Sequence, residues 1–255
     1  MELTELVARY DERLRTDAYA DVDASANGLQ VGPDAAREIE HVAVAVDAAT
    51  ATIDAAAEAG ADVLVTHHGL SWGGIERVTG PTYDRIARLV EADLALYVSH
   101  LPLDGHPQLG NAAGLADFLG VTDREPFATI GGEPVGQRGT LSAPTSAPDL
   151  RARLDELPQG GTKTRLLSFG PPEVEEVAIV TGSGVDFLDE AVAAGVDTLV
   201  TGEGKQQAYH QAREAKCNVF LAGHYATETF GVQALEGLAA DWGLETTYVE
   251  HPTGL

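Results

Sequence analysis

The sequence predicts an α/β protein of two duplicated three-layer α/β/α lobes, each built on a largely parallel mixed sheet. Three observations predict it. Short continuous apolar runs, such as Asp62-Val63-Leu64-Val65-Thr66 and Leu94-Ala95-Leu96-Tyr97-Val98-Ser99, read as strands buried on both faces. These runs alternate with helical periodicity, the order expected of strand–helix units in a parallel sheet. Residues 40–68 also align without gaps on 175–203, at a constant offset of 135. The matches include Val42/Val177, Ala43/Ala178, Asp54/Asp189, Ala59-Gly60/Ala194-Gly195, Asp62/Asp197 and Leu64-Val65-Thr66/Leu199-Val200-Thr201. Shared helix and strand propensity does not supply so many identities, so a strand–helix–strand unit is duplicated.

Taken in order, residues 2–16 carry Leu3, Leu6, Val7, Tyr10 and Leu14 at helical spacing and predict an amphipathic helix. Asn27-Gly28 marks a turn before a short strand at 29–31. A strand at 41–47 leads to an alanine-rich helix at 49–59, closed by Gly60. The strand at 62–66 hands two adjacent histidines, His67 and His68, to a loop. A helix at 82–92 presents Ile86, Leu89 and Val90 on one face, a strand at 94–99 ends at His100, and a helix at 109–119 closes at Gly120. Residues 121–165 are punctuated by glycine and proline, with strands expected at 136–141 and 164–169 around a helix at 147–156. The second copy is followed by a helix at 205–215, a strand at 218–222 and a helix at 227–240.

A lobe boundary is expected near residue 125. The first lobe, 1–125, holds His67-His68 and His100/Asp104. The second, 126–255, holds the repeat 175–203 and His224/Glu228, with 218–255 expected to pack back on the first lobe.

Composition narrows the class. Forty acidic residues against 16 basic ones give a net charge of −24, spread along the chain. Self-repulsion of this size disfavours a compact state in dilute salt and is screened at molar salt, so a halophilic protein is expected. There is no basic stripe for phosphate, which argues against a nucleic-acid partner. No apolar run reaches the length of a membrane helix, and the acidic start is unlike a signal peptide, so a cytoplasmic protein is expected. The lone Cys217 excludes an internal disulfide and a thiolate cluster, and reads as a small buried hydrophobe.

Three segments carry the chemistry: Thr66-His67-His68-Gly69, His100-x-x-x-Asp104 and Gly223-His224-Tyr225-Ala226-Thr227-Glu228. Each follows a predicted parallel strand at its C-terminal end, the edge where open α/β sheets place their sites. His100-x-x-x-Asp104 contains Pro102 and is expected to be a bent loop. His224 and Glu228 are spaced to share one face of a starting helix. At the matching strand ends His67-His68 corresponds to Gly202-Glu203, so the scaffold does not itself require histidine there. Four imidazoles and two carboxylates without a thiolate suit Zn, Fe, Mn, Co or Ni rather than Ca or Mg. The set is too large for one ion and suits two. Thr181-Gly182-Ser183-Gly184 could receive an anion at a helix start, and Lys205 and His210 could face a ligand. His41, His106 and His251 read as structural.

Together with Asn27-Gly28-Leu29-Gln30-Val31-Gly32, Tyr97 to Asp104, Gly110-Asn111 and Thr201-Gly202-Glu203, these segments resemble the Nif-three-like family, the GTP cyclohydrolase I type 2 homologues. The resemblance covers nearly the whole chain. It departs at Asp23-Ala24-Ser25-Ala26, which lacks an expected tryptophan–aspartate, and at Gly69, where proline often follows the histidines. It implies a duplicated α/β fold with a dinuclear metal site between the lobes, in a ring-shaped hexamer. The implied metal ligands are His67, His68, Asp104, His224 and Glu228, with Asp104 or Glu228 bridging two divalent ions per chain. His100 is a ligand or a supporting group, and His100 and Glu228 are the implied catalytic residues. The implied activity is a hydrolase acting on a purine nucleotide such as GTP, with a metal-bound hydroxide as nucleophile. Alternatives are a metal-dependent phosphoesterase, or a metal-binding regulatory or interaction protein without turnover.

Overall fold

The computed structural model describes residues 1–33 and 37–255. In chain order the elements are α1 (Leu3–Leu14), β1 (Gly28–Val31), β2 (His41–Asp47), α2 (Thr50–Glu58), β3 (Val63–His68), α3 (Pro81–Glu91), β4 (Ala95–Val98), α4 (Leu101–Asp104) and α5 (Asn111–Leu119). There follow β5 (Val121–Ile130), β6 (Glu133–Ser146), α6 (Ala147–Leu154), β7 (Arg165–Leu167), β8 (Glu173–Ile179), α7 (Leu188–Ala193) and β9 (Thr198–Thr201). The chain ends with α8 (Gln206–Ala215), β10 (Asn218–Leu221), α9 (His224–Thr227), α10 (Thr229–Asp241) and β11 (Glu245–Tyr248). Among the described residues no helix is long and apolar enough to cross a membrane.

The fold is the mixed α/β class expected, with two mixed sheets flanked by helices. The chain divides into two compact units, Met1–Leu103 with Gly231–His251, and Asp104–Phe230 with Pro252–Leu255. The change of unit thus comes at 103/104, ahead of the expected position near 125, and the returning segment starts at 231 rather than 218. The reason is packing. The Leu115 and Leu119 side chains of α5 bury against Val177 and Ile179 of β8, which carries α5 into the second unit. β10 pairs with β9 and so stays in that unit.

The first unit holds a five-stranded sheet in the order β1-β4-β3-β2-β11. β11, β2, β3 and β4 are parallel, and β1 closes one edge antiparallel. Apolar strand residues such as Ala43, Leu64 and Leu96 pack with Ile53 of α2 and Leu89 of α3. α1 buries Leu3, Leu6, Tyr10 and Leu14, the stripe its periodicity predicts. In α3 only Leu89 is buried, and Val90 is 66% exposed, so the expected apolar face is narrower than the sequence suggests. β11 was not foreseen: Glu-Thr-Thr-Tyr has no apolar run, and its place comes from backbone pairing with β2.

The second unit holds a six-stranded sheet in the order β5-β6-β8-β9-β10-β7. β8, β9 and β10 are parallel, and β5, β6 and β7 run antiparallel to their neighbours. β5 and β6 form a long hairpin. β5 escaped the sequence because most of its side chains are exposed, which erases the hydrophobic signal.

The two copies of the repeat agree in backbone register residue for residue. Val42, Ala43 and Val44 pair with Val63, Leu64 and Val65. Val177, Ala178 and Ile179 pair with Thr198, Leu199 and Val200. The turn bonds match too. Asp62 Oδ2 accepts from the Glu40 and His41 amides at 2.8 and 3.0 Å, and Asp197 Oδ2 accepts from Glu175 and Glu176 at 3.2 and 3.3 Å.

The correspondence slips at the next strand. Val63 pairs with Ala95, and Thr198 pairs with Asn218. Counting from those partners, His100 matches Gly223, and His224 lies one residue further on. The same offset holds beyond the strands, where α4 begins at Leu101 and α9 at His224, so the second histidine sits one place further along the shared backbone. Gly223, at the place of His100, has φ +95, a conformation that strains any residue with a Cβ.

Candidate metal-binding groups

In the first unit three imidazoles gather at the C-terminal ends of β3 and β4. β3 runs through His68, so the two histidines are the last residues of the strand rather than the start of a loop. Despite adjacent strand positions, the His67 and His68 ring centroids are 4.6 Å apart. The His100 ring lies 5.0 Å from that of His67 and 5.8 Å from that of His68. One ligand atom from each of these three residues can be chosen so that all lie within 4.8 Å of one another.

The Nδ1 atoms explain the orientation. His67 Nδ1–H donates to the Ser99 carbonyl at 3.0 Å. His68 Nδ1–H donates to Asp47 Oδ1 at 2.9 Å, from the residue directly beside it in the parallel ladder. His100 Nδ1–H donates to Asp23 Oδ1 at 2.9 Å. Carbonyl and carboxylate oxygens can only accept, so each proton sits on Nδ1 and each lone pair on Nε2. An acceptor behind every ring is the usual support of a metal-binding histidine, fixing tautomer and rotation while raising basicity.

Asp23 is the most heavily tied of these acceptors. Its Oδ1 also accepts from the Ser25 amide at 2.9 Å, and its Oδ2 from Asn27 Nδ2 at 2.8 Å and the Leu101 amide at 3.0 Å. Asn27 Oδ1 in turn accepts from the His100 amide at 2.7 Å. Burial alone would raise the Asp23 pKa; the hydrogen bond and charge of His100, with the bonds from Asn27 and Ser25, outweigh it and hold the carboxyl below its usual range. Asp23 and Asp47 were passed over in the sequence, because their histidine partners lie far along the chain and no spacing motif marks them.

The second unit gathers different donors. Asp104 ends α4, a single helical turn. The segment is thus a helical turn rather than the bent loop that Pro102 suggests. Pro102 is the second residue of the turn, where no intrahelical amide bond is required of it. Asp104 is buried, and its Oδ1 accepts from Asn111 Nδ2 at 2.8 Å and Thr181 Oγ1 at 3.2 Å. His224 begins the one-turn α9, and Glu228 follows it, 3% exposed. His224 Nε2 stands 3.2 Å from Glu228 Oε1, and Nδ1 stands 3.2 Å from Glu203 Oε1. Ser183 Oγ donates to that same Glu203 oxygen.

Charge settles the protonation of His224 in the metal-free protein. Burial would lower its pKa, but the hydrogen bond and charge of Glu228, then the charge of Glu203, outweigh it and push it up to about 9. The Ser183 bond, followed by the His224 charge and bond, holds Glu203 below the usual carboxylate range. The ring is thus an imidazolium between two carboxylates, and a divalent ion would compete with its proton.

The loops under His224 are glycines hydrogen-bonded in a row. Gly202 N donates to Gly182 O at 3.0 Å, and Gly223 N to Gly202 O at 2.9 Å. Gly182 has φ +57, and a Cβ there would come within 2.1 Å of Glu228 Oε1 and 3.0 Å of His224 Nε2. The clearance is therefore specific to this carboxylate–imidazole pair.

Other expectations resolve simply. Ser183 bonds Glu203, Gly182 makes room for Glu228 and His224, and the helix beyond them, α7, is six residues long. Lys205 is exposed and pairs with Asp186, and the exposed His210 ring sits 5.4 Å from Tyr209. His41 Nε2 bonds Thr247 Oγ1 at 2.9 Å, and His106 Nδ1 accepts from the Leu109 amide at 2.9 Å, both structural. Burial pushes the Cys217 thiol up to about 11. Trp72 is the residue the sequence missed. Its ring lies 4.9 Å from His100, nearly perpendicular, and 6.0 Å from His68.

The donor chemistry fits a divalent transition metal: imidazole and carboxylate, without thiolate. The fold and these groups define a two-unit α/β protein with histidine, aspartate and glutamate clusters able to hold metal ions. The chain belongs to the Duf34/NIF3 (NGG1p interacting factor 3) family, whose profile matches residues 1–253. It is 58% identical to the GTP cyclohydrolase 1 type 2 homolog of Halobacterium salinarum, covering 100% of both chains. The solved structure of protein ybgI is similar, with a TM-score of 0.91, 35% identity and 100% of both chains covered. That of TTHA1606 from Thermus thermophilus gives 0.89 and 38%, again over 100% of both.

Proposed function

We propose that this protein is a dinuclear-metal-dependent hydrolase acting on a purine nucleotide. The observation that carries the reading is the commitment of all three first-unit Nδ1 atoms to oxygen acceptors, which leaves the Nε2 lone pairs of His67 and His68 for metal and that of His100 for a proton. The first unit offers imidazoles whose neighbouring carboxylates are already occupied. The second offers Asp104, His224 and Glu228. The proposal takes the two groups as one donor set for two divalent ions, with His67, His68, Asp104, His224 and Glu228 as ligands. The name GTP cyclohydrolase 1 type 2 homolog, carried by the relatives, supports the substrate class. The net charge of −24 supports working in concentrated salt. Assembly into a hexameric ring rests on the family resemblance.

Bound ions of this class supply Lewis acidity and lower the pKa of the water they hold. The chain's own residues do the rest. His67 and His68 are fixed at one tautomer by Ser99 and Asp47. His100 accepts a proton at Nε2 and shares the resulting charge with Asp23, as a general base does. Glu228 is the second catalytic residue of the proposal, a carboxylate that returns to the departing group a proton first taken from water.

The test is elemental analysis and turnover of GTP by metal-loaded protein at high salt. His67→Ala is expected to lose metal and activity together. His100→Ala is expected to keep most of the metal and lose at least about a hundredfold in rate, the usual size of a general-base contribution. Full metal occupancy without turnover of nucleotides or phosphodiesters would overturn the hydrolase.

A further inference from the structure

Trp72 is 47% exposed, yet it is held firmly. The bridge between Ser25 and Trp72 pins its backbone, with the Ala26 amide donating to Ser71 O at 3.2 Å and the Gly73 amide to Ala24 O at 2.6 Å. The indole meets His100 at an interplanar angle of 80°, an edge contact that leaves ring surface uncovered. Gly73 and Gly74 follow, each at positive φ with open space where a Cβ would stand. An exposed tryptophan costs hydration and would ordinarily fold inward. Here the loop is built to keep it out, against the three-histidine cluster.

We infer that Trp72 is the stacking platform for the flat heteroaromatic ring of the ligand that reaches these histidines. The inference rests on the nucleotide reading above and assigns its base-binding residue. A fixed aromatic face accepts a purine by stacking without losing rotamer freedom. It also sets the base beside His100, where a proton moves in the proposed reaction. Trp72 is a binding residue and takes no part in the proton transfer.

The chain has two tryptophans, so Trp242→Phe leaves Trp72 as the sole reporter. In that background, metal-loaded protein is titrated with GTP and with inorganic triphosphate. GTP is expected to quench Trp72 emission, and triphosphate to bind with little quenching. Trp72→Leu, compared at matched metal occupancy and thermal stability, is expected to weaken GTP about tenfold or more, the size of one lost base–aromatic stack. Trp72→Phe should keep most of the affinity, and triphosphate binding should not change in either variant. GTP binding equally well to Trp72→Leu overturns the platform while leaving the nucleotide reading in place. Failure of wild-type metal-loaded protein to bind GTP overturns both.

Discussion

The two copies of the repeat share a backbone and differ in chemistry. β2 against β3 and β8 against β9 keep the same register, and Asp62 and Asp197 receive the equivalent amides. At the strand ends the likeness stops. Asp47 and His68 form a hydrogen-bonded pair in the first unit, where the second has Gly182 and Glu203. His68 is a donor with a carboxylate behind it. Glu203, at the matching position, is the carboxylate behind another donor, His224. The comparison separates two kinds of residue: those whose bonds belong to the fold appear twice, and those that belong to the site appear once.

The largest effect should come from breaking this asymmetry. Gly182→Ala puts a Cβ within 2.1 Å of Glu228 Oε1 at a positive φ. Left-handed backbone costs about 1–2 kcal/mol for a residue with a Cβ, and the displaced carboxylate adds to it. A total loss of about 2–3 kcal/mol in denaturant unfolding is expected, with weaker metal binding. Asp47→Ala, at the matching position, should leave stability nearly untouched and loosen only His68, lowering metal affinity about 10–100-fold.

A smaller effect tests the likeness. Asp62→Ala and Asp197→Ala each strand two backbone amides, and each should cost about 1–2 kcal/mol. Equal losses are expected. A large loss at one and none at the other would mean that the copies no longer share their folding logic.

The smallest effect concerns the one-sided imidazolium. His224 has a raised pKa in the folded metal-free protein. Its contribution is therefore complete below its unfolded pKa of about 6.5 and is lost as pH rises through about 9. Unfolding of metal-free protein should show declining stability across that window, and His224→Asn should flatten the decline. Unchanged pH dependence in the variant would place the titration elsewhere.

The sequence revealed what depends on local pattern. The apolar runs of β2, β3 and β4, the stripe of α1 and the gapless repeat are all periodic signals, and each formed as read. The histidine and carboxylate candidates were visible because their types are rare and their positions follow strands. Elements held by tertiary pairing were not visible. β5 is a mostly exposed hairpin strand, β11 is polar, and α4 hides behind Pro102. The orienting residues Asp23 and Asp47 act through bonds to residues distant in the chain, so no motif announces them. The single residue by which His224 departs from His100 appears only when the ladders are laid side by side. Trp72 carries no spacing signal at all; its meaning comes from remaining exposed next to His100.

The central claim is that His67 and His68, with Nδ1 already committed, bind metal through Nε2. Anomalous diffraction from crystals of metal-loaded protein, collected on either side of the metal edge, tests it directly. The account predicts ion density with His67 Nε2 and His68 Nε2 at about 2.0–2.1 Å, while Ser99 O and Asp47 Oδ1 keep their bonds to Nδ1. Ligation through Nδ1, or no anomalous peak beside intact His67 and His68, would contradict it.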